Sequence, residues 1–495
     1  MNRQLEHYPT PSARRFQLGL VVVITVALYY ALYVQGGVLP LIMRDLRMPF
    51  PYLVSVLAVA NAVGAFASLA AGLSDRFGRA RLVVWGLLLV CILVGLVLPL
   101  APSRLAYGVL QVILGFVEGV ILVATPALIR DFSPQVGRAT AMGFWTIGPV
   151  LGSLFVSAVN SATLGLLPDW RGQFYICAVF GFAVWIVALL ALRELKPDLR
   201  NQVMVSEQDS ALNERRASTA RHDAQAGNAG ANPWLQMLRP DVVASALGVS
   251  LLLLVYYTTV AFGVIYLVTV YGFSPARANG LLNWSWAANA VALIVAGVWS
   301  DALGVRKPFM LAGGVGAAVM IWLFMAGGLP AAAHPSFAIM AVVASTIAVL
   351  MGGAYATWMA SFTEMVEALN PALTATGLAI WGWLLRLVVT ASFLALPHVV
   401  DTVTTLVEAP PTLEAAHRLE ASHQALPADL ADRVHAIGAA AIAAPGQWQV
   451  WHTASALGAC AFVLLIFVMR GRWSPRQARA DQAAHDALVA RQLAG

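Results

Sequence analysis

Apolar residues along this 495-residue chain are gathered into long blocks separated by short charged clusters. A helix needs roughly 20 residues to cross a bilayer core. Blocks of about that length or more lie at 16–43, 51–73, 82–101, 104–129, 139–160, 172–192, 242–270, 276–300, 308–328, 336–363, 372–397 and 450–470. Twelve helical spans are therefore predicted, and an even number puts both ends of the chain on one side. The first block is too long for the apolar region of a signal peptide and is read as a retained helix.

Two polar stretches interrupt the pattern. Residues 194–240 are rich in Arg, Asp, Ser, Asn and Gln, with A-G-N-A-G-A-N at 226–232, and are predicted to be a mobile linker between a six-helix half at 1–193 and a second at 241–495. Residues 398–449, between spans 11 and 12, carry six acids against Arg418 and Arg433. There, Leu413, Ala416, Leu419 and Ala421, then Leu430, Val434 and Ile437, predict two short amphipathic helices broken near Pro427, a cap on the external face. His417, His423 and His435 lie in this insert without ligand spacing, so no metal site is expected. A tail follows at 471–495.

Composition narrows the class. With 60% hydrophobic residues, 11% charged and a mean hydropathy of +0.75, the chain is no soluble globule, whose charged fraction is about twice as high. The pI near 9.4 would suggest a nucleic-acid partner, but the positions of the charges argue against one. Of the 30 Lys and Arg residues, 22 fall in segments predicted to be cytoplasmic, 7 in external ones and one, Arg386, within a span. That is the positive-inside bias of a multi-pass protein of the plasma (cytoplasmic) membrane with both termini cytoplasmic. Cys91, Cys177 and Cys460 are dispersed in apolar blocks and read as packing residues. No G-x-x-x-x-G-K-[ST] loop occurs, so ATP is not the expected energy source, and no cofactor is expected.

Between spans 2 and 3 the chain reads A-G-L-S-D-R-F-G-R-A-R-L at 71–82, and a weaker copy, G-V-W-S-D-A-L-G-V-R-K-P, runs from 297 to 308, an offset of 226 at the aspartates. Tyr29-Tyr30 and Tyr256-Tyr257 repeat at an offset of 227, and T-A-M-G at 140–143 and T-A-T-G at 374–377 at 234. The first of these loops resembles the signature between helices 2 and 3 of the major facilitator superfamily. The resemblance implies an all-α integral membrane fold of two pseudo-symmetric six-helix bundles, with substrate bound near the midplane between them. It also implies a conformational latch built from Asp75, Arg76, Gly78 and Arg79, echoed by Asp301, Gly304 and Arg306. On helix 5, G-P-V-L-G-S at 148–153 is similar to a motif of the drug/proton antiporter branch, with Ser153 in place of its last Gly. Gln111 stands where an arginine is found in the family's helix 4 pattern.

Ionisable groups at membrane depth are the informative residues, because each costs roughly 2.5–3.5 kcal/mol at a helix centre without a partner or water. Glu118 and Arg386 each lie about 14 residues into spans 4 and 11, and at the 234 offset each faces a glycine, Gly352 and Gly152, in the other half. They are additions to the repeated scaffold. Glu118 shares a helical face with Gln111 and Thr125, and Arg386 with Gly382, Trp383 and Thr390. Aromatic residues cluster at the same depth: Tyr29, Tyr30, Tyr33, Tyr256, Tyr257, Trp284, Trp286, Tyr355 and Trp358. Together they predict a cavity for a substrate with an apolar or ring-shaped body.

These features lead to a proton-coupled secondary transporter for a small organic anion, with Glu118 as the proton-coupling group and Arg386 as the anion's partner. The alternatives are a drug or lipophilic-metabolite antiporter, a non-transporting sensor, and an intramembrane enzyme, for which no nucleophile-base pair appears on the spans. The expected partners are a small-molecule substrate, protons and the lipid bilayer, with the chain acting as a monomer.

Overall fold

The computed structural model describes residues 4–68, 78–122, 124–133, 138–200, 233–328, 336–370, 373–469 and 471–494. Twelve long helices organise it: α1 (Pro11–Asp45), α2 (Phe50–Ser68), α3 (Arg79–Ile92), α4 (Arg104–Ile121), α5 (Arg138–Thr163), α6 (Trp170–Ala191), α7 (Pro240–Tyr271), α8 (Pro275–Leu303), α9 (Lys307–Phe324), α10 (Phe337–Leu369), α11 (Thr374–Val399) and α12 (Ala428–Leu465). Among the described residues, eleven of the twelve spans are long and apolar enough to cross a membrane. The other, α5, is 26 residues long and packs against α1 and α8. The chain is a multi-pass membrane protein.

Successive helices run in opposite senses, which leaves two faces. The terminal face carries both chain ends, and the distal face carries the α1–α2 turn. Helices α4, α6, α8 and α10 begin at the distal face, each capped by a side chain: Ser103, Asp169, Ser274 and Ser336 accept from the backbone N–H of Ala106, Arg171, Arg277 and Ile339 at 3.0 to 3.3 Å. Such caps satisfy N–H groups that no helical carbonyl can reach.

Small residues set the close crossings, as expected where lipid offers no hydrophobic drive between helices. Ala60 and Gly64 of α2 meet Gly115 and Gly119 of α4 backbone to backbone. Gly148 and Gly152 of α5 lie against Thr25 and Tyr29 of α1. Gly36 admits the Val260 carbonyl where α1 crosses α7, joining the two halves.

Two elements differ from their expected form. Helix α7 is interrupted at Leu253 (φ −77°, ψ 0°), just before its tyrosine pair, with no Gly or Pro to announce the break. The second amphipathic segment of the insert is not a separate helix but the start of α12, which runs 38 residues through Pro445. A-A-A-I-A-A at 439–444 supplies strong helix formers, enough to carry the helix past one proline. The first insert helix, Ala409–Ala421, does stand alone and ends before Pro427.

At the terminal face, β1 (Gln4–Leu5) pairs in parallel with β2 (Glu194–Leu195), and the Tyr8 hydroxyl donates to the Leu199 carbonyl at 3.0 Å. The first residues of the expected linker are thus structured, and Glu194 is buried. Residues 201–232 lie outside the described residues.

Candidate functional site

Helix α4 belongs to the first half and α11 to the second, and the charges they carry meet between the halves. Arg386 Nη2 lies 2.9 Å from Glu118 Oε1, with side chains 9% and 22% exposed. The guanidinium also overhangs α2 at Gly64, where any side chain would collide with it. Each charge therefore has a neutralising partner in a setting where an uncompensated one would be expensive. The pair lines a cavity of about 40 Å³ with Tyr29, Asn61, Trp145, Tyr257, Trp381 and neighbouring residues. A second of about 20 Å³ lies among Tyr29, Leu253, Tyr256, Tyr257, Asn289 and Tyr355, and a third of the same size beside Tyr33, Asn279 and Trp286.

These spaces hold a water or so each, a molecule that occupies about 30 Å³ in the liquid. The halves are joined on either side of them. Toward the distal face, Asn279 Nδ2 donates to the Gly37 carbonyl at 2.9 Å, Asn283 Nδ2 to Ser161 Oγ at 3.3 Å and Arg44 Nε to the Val407 carbonyl at 2.7 Å. At the terminal face, Arg130 Nη2 reaches Glu367 Oε1 at 2.9 Å across the half-to-half boundary, with both side chains buried. Polar contacts among the described residues thus bridge the halves on both sides of these cavities, none of which has room for an organic solute.

Several residues expected in the cavity are elsewhere. Trp284 is 62% exposed on the outer surface, while Trp286, two positions on and about 200° around the helix, points inward. Tyr30 turns into the first half, its ring 5.9 Å from Phe155 and 6.1 Å from Phe180, leaving its neighbour Tyr29 at the cavity. Gln111 donates to the Tyr107 hydroxyl at 3.0 Å, which bonds Gln35 at 3.2 Å, so its amide serves the first half's interior. Trp358 donates to Ser245 Oγ at 3.0 Å inside the second half. Trp383 lines none of these cavities; Trp381 does, with its ring 6.5 Å from Trp145 across the boundary.

Asp75 and Arg76 lie outside the described residues. The rest of the loop pairs as a charged collar. Gly78 has φ +95°, a conformation that favours glycine, and a Cβ there would strike the Glu194 carboxylate, which accepts from the Ala80 N–H at 3.0 Å. Arg79 Nη1 binds Asp131 Oδ1 at 2.6 Å, and Arg130 approaches the same carboxylate at 3.5 Å. In the second half Gly304 caps α8 with φ +66°, while Arg306 Nη2 lies 2.9 Å from both Asp301 and Glu364. Burial works against the Arg306 charge, but Glu364 and Asp301 outweigh it and hold the guanidinium above its ordinary value. Asp131, Glu194, Glu364 and Glu367 were not singled out from sequence. Their signal was available: each is an acid at the terminal-face end of a span, beside the basic loops.

Two six-helix halves that meet around a buried charge pair are the architecture of a membrane transporter. The chain belongs to the major facilitator superfamily, whose family model, Major Facilitator Superfamily, matches residues 21–392. It is a transporter of that family rather than an enzyme. It is 25% identical over 267 residues to a putative metabolite transport protein of Haemophilus influenzae, covering 51% of this chain and 58% of that one. Over 111 residues it is 32% identical to the cis,cis-muconate transport protein of Acinetobacter baylyi (21% and 25% of the two chains), and over 69 residues 36% identical to efflux pump radE of Floropilus chiversii (14% and 13%). The chain thus spans less than two thirds of the length of each of these relatives. Among solved structures, the proton:xylose symporter XylE, bound to 6-bromo-6-deoxy-D-glucose, superposes with a TM-score of 0.63 at 16% identity over 92% of this chain and 96% of that one.

Proposed function

We propose that the protein is a proton-coupled secondary transporter of a small organic anion, a carboxylate with an apolar or ring-shaped body, and that its terminal face is cytoplasmic. The observation that carries this reading is the Glu118–Arg386 pair, one charge from each half, enclosed where the halves meet. A guanidinium presents a planar fork that matches a carboxylate at two points and stays charged at any relevant pH. An incoming carboxylate competes with Glu118 for Arg386, and a Glu118 left without its cation at membrane depth takes up a proton. Substrate and proton then occupy the centre together, and the loaded centre is near neutral when the halves move. The tyrosines at positions 29, 256, 257 and 355 supply the apolar walls and hydroxyl donors. The relative named for cis,cis-muconate, itself a carboxylate, is in keeping with this class.

The second reading is export of a lipophilic cation, favoured by the aromatic lining and the helix 5 motif. The two readings make opposite demands on Arg386. Binding of cis,cis-muconate, benzoate and tetraphenylphosphonium to the parent, Arg386→Lys and Arg386→Ala should show carboxylate binding in the parent, at least tenfold weaker in Arg386→Lys and lost in Arg386→Ala. Cation binding that survives Arg386→Ala, with no carboxylate bound by the parent, would sink the organic-anion reading.

A further inference from the structure

A cavity larger than those at the centre lies elsewhere among the described residues. A chamber of about 330 Å³ lies within the second half, among α7, α8, α9, α10 and α12. Its size is that of a small-molecule site, and its walls are mostly apolar. Among the polar side chains that interrupt them, two on the same helix lack hydrogen-bond partners. His452, 2% exposed, has neither ring nitrogen hydrogen-bonded, and the indole N–H of Trp448, 1% exposed, is also without a partner. Buried polar groups are paired almost without exception in native proteins.

The internal repeat shows that the hollow is particular to this half. Trp448 and His452 lie 278 positions after Trp170 and Phe174, with the same spacing of four, on α12 and its counterpart α6. In the first half that space is filled: the Trp170 ring sits 6.1 Å from Tyr107 and 5.2 Å from Phe174, and its N–H donates to Asp45 Oδ2 at 3.0 Å. In the second half the position matching Asp45, at the 227 offset, is Gly272, which offers no acceptor side chain. Histidine stands where the first half has phenylalanine; the Trp448 ring packs 5.1 Å from Tyr266 and 6.1 Å from His452, but its N–H has no partner to match Asp45.

The chamber reaches the outer surface at Phe324 and Ile339, which are 46% and 58% exposed and stand beside the exposed Val342. Phe324 ends α9 and Ile339 lies in the first turn of α10, so the mouth sits at the distal edge of the spanning layer, where apolar side chains meet the lipid interface. We infer that the chamber is a second ligand site, fed from the bilayer, for an uncharged amphiphile whose hydroxyl or carbonyl head is held by His452 and Trp448. The imidazole both donates and accepts, and the indole donates, which suits a hydroxyl or carbonyl and gives a charged group no counter-ion. Tyr256, Asn289 and Met351 line both this chamber and the central cleft, so an occupant presses on the back wall of the transport site. It is a regulatory ligand by position, acting through the interrupted α7.

The test uses the full chain in lipid nanodiscs and a diazirine-bearing decanol as photoprobe, with adducts mapped by mass spectrometry. Adducts are expected on chamber residues of α7, α10 or α12, displaced by excess decanol far better than by decane. His452→Phe, which restores the first half's residue and so should fold with a higher melting temperature, is expected to weaken decanol competition at least tenfold. Ala344→Phe, which fills the chamber, should abolish the adducts. Where a co-purifying lipid already holds the chamber, labelling rises on delipidation; where the source is a free amphiphile, it does not change. Adducts confined to the outer surface, or chamber labelling that His452→Phe and Ala344→Phe both leave as in the parent, would overturn the inference.

Discussion

At the scale of single residues, the buried charges that meet between and within the halves are held in named pairs. Asp131 shows what is at stake, because it receives Arg79 at 2.6 Å and Arg130 at 3.5 Å, all three side chains buried. Removing one member of a buried pair leaves an uncompensated charge and is destabilising by about 3–5 kcal/mol, whereas replacing both with apolar residues is often near neutral. Asp131→Leu should therefore lower the melting temperature clearly, and Arg79→Met with Asp131→Leu should recover much of it. A double variant no more stable than the single one would mean that Arg79 matters for something other than its pairing. The depth of Glu118 and Arg386 was legible in the sequence, since two isolated charges in long apolar blocks can only be counted from the block ends. Which aromatic residues share their cavity was not. Neighbouring helical positions differ by about 100°, so a depth estimate could not tell Tyr29 from Tyr30, or Trp286 from Trp284.

At the scale of elements, the transport site depends on how closely α2 and α4 approach. Ala60 and Gly64 against Gly115 and Gly119 bring the two backbones together, and the bare surface at Gly64 is where the Arg386 guanidinium rests. Gly64→Ala puts a methyl group into that contact. The same methyl group would lie 2.7 Å from the Gly115 carbonyl oxygen, so it should lower the melting temperature by spreading α2 from α4, and weaken carboxylate binding severalfold by displacing Arg386. Unaltered binding by a folded Gly64→Ala protein would show that the guanidinium does not depend on this shelf. Span positions were readable from hydropathy alone, while two features of the helices were not. The break at Leu253 has no Gly or Pro beside it in the sequence to signal it. The fusion of the insert to α12 runs through Pro445, which a reading by rule takes as a boundary.

At the scale of the whole molecule, polar contacts bridge the halves toward both faces, and at the terminal face the described residues include an ion pair between halves, Arg130 with Glu367. The duplication was visible in the repeated loops and tyrosine pairs, but this pairing joins residues 237 positions apart that no repeat relates. An equilibrium between states shifts by whatever a contact contributes to one of them alone. In a chain whose three native cysteines are replaced by alanine, Ser133→Cys should react with an impermeant maleimide in inside-out vesicles, severalfold faster when Glu367→Gln is added, and not in intact cells. An unchanged rate would remove the pair from the gate, and labelling only from outside would invert the proposed orientation.

The central claim is that a substrate carboxylate and a proton load together at the Glu118–Arg386 pair, so the most direct measurement counts protons as a ligand binds. Calorimetric titration of the purified protein with its tightest-binding carboxylate, in buffers of different ionisation enthalpy, gives the number taken up per ligand. Near neutral pH the account predicts an uptake approaching one proton in the parent and none in Glu118→Gln, which should still bind the carboxylate and exchange it across a membrane without proton-driven accumulation. Carboxylate binding by the parent with no proton uptake, or an uptake that Glu118→Gln leaves intact, would contradict it.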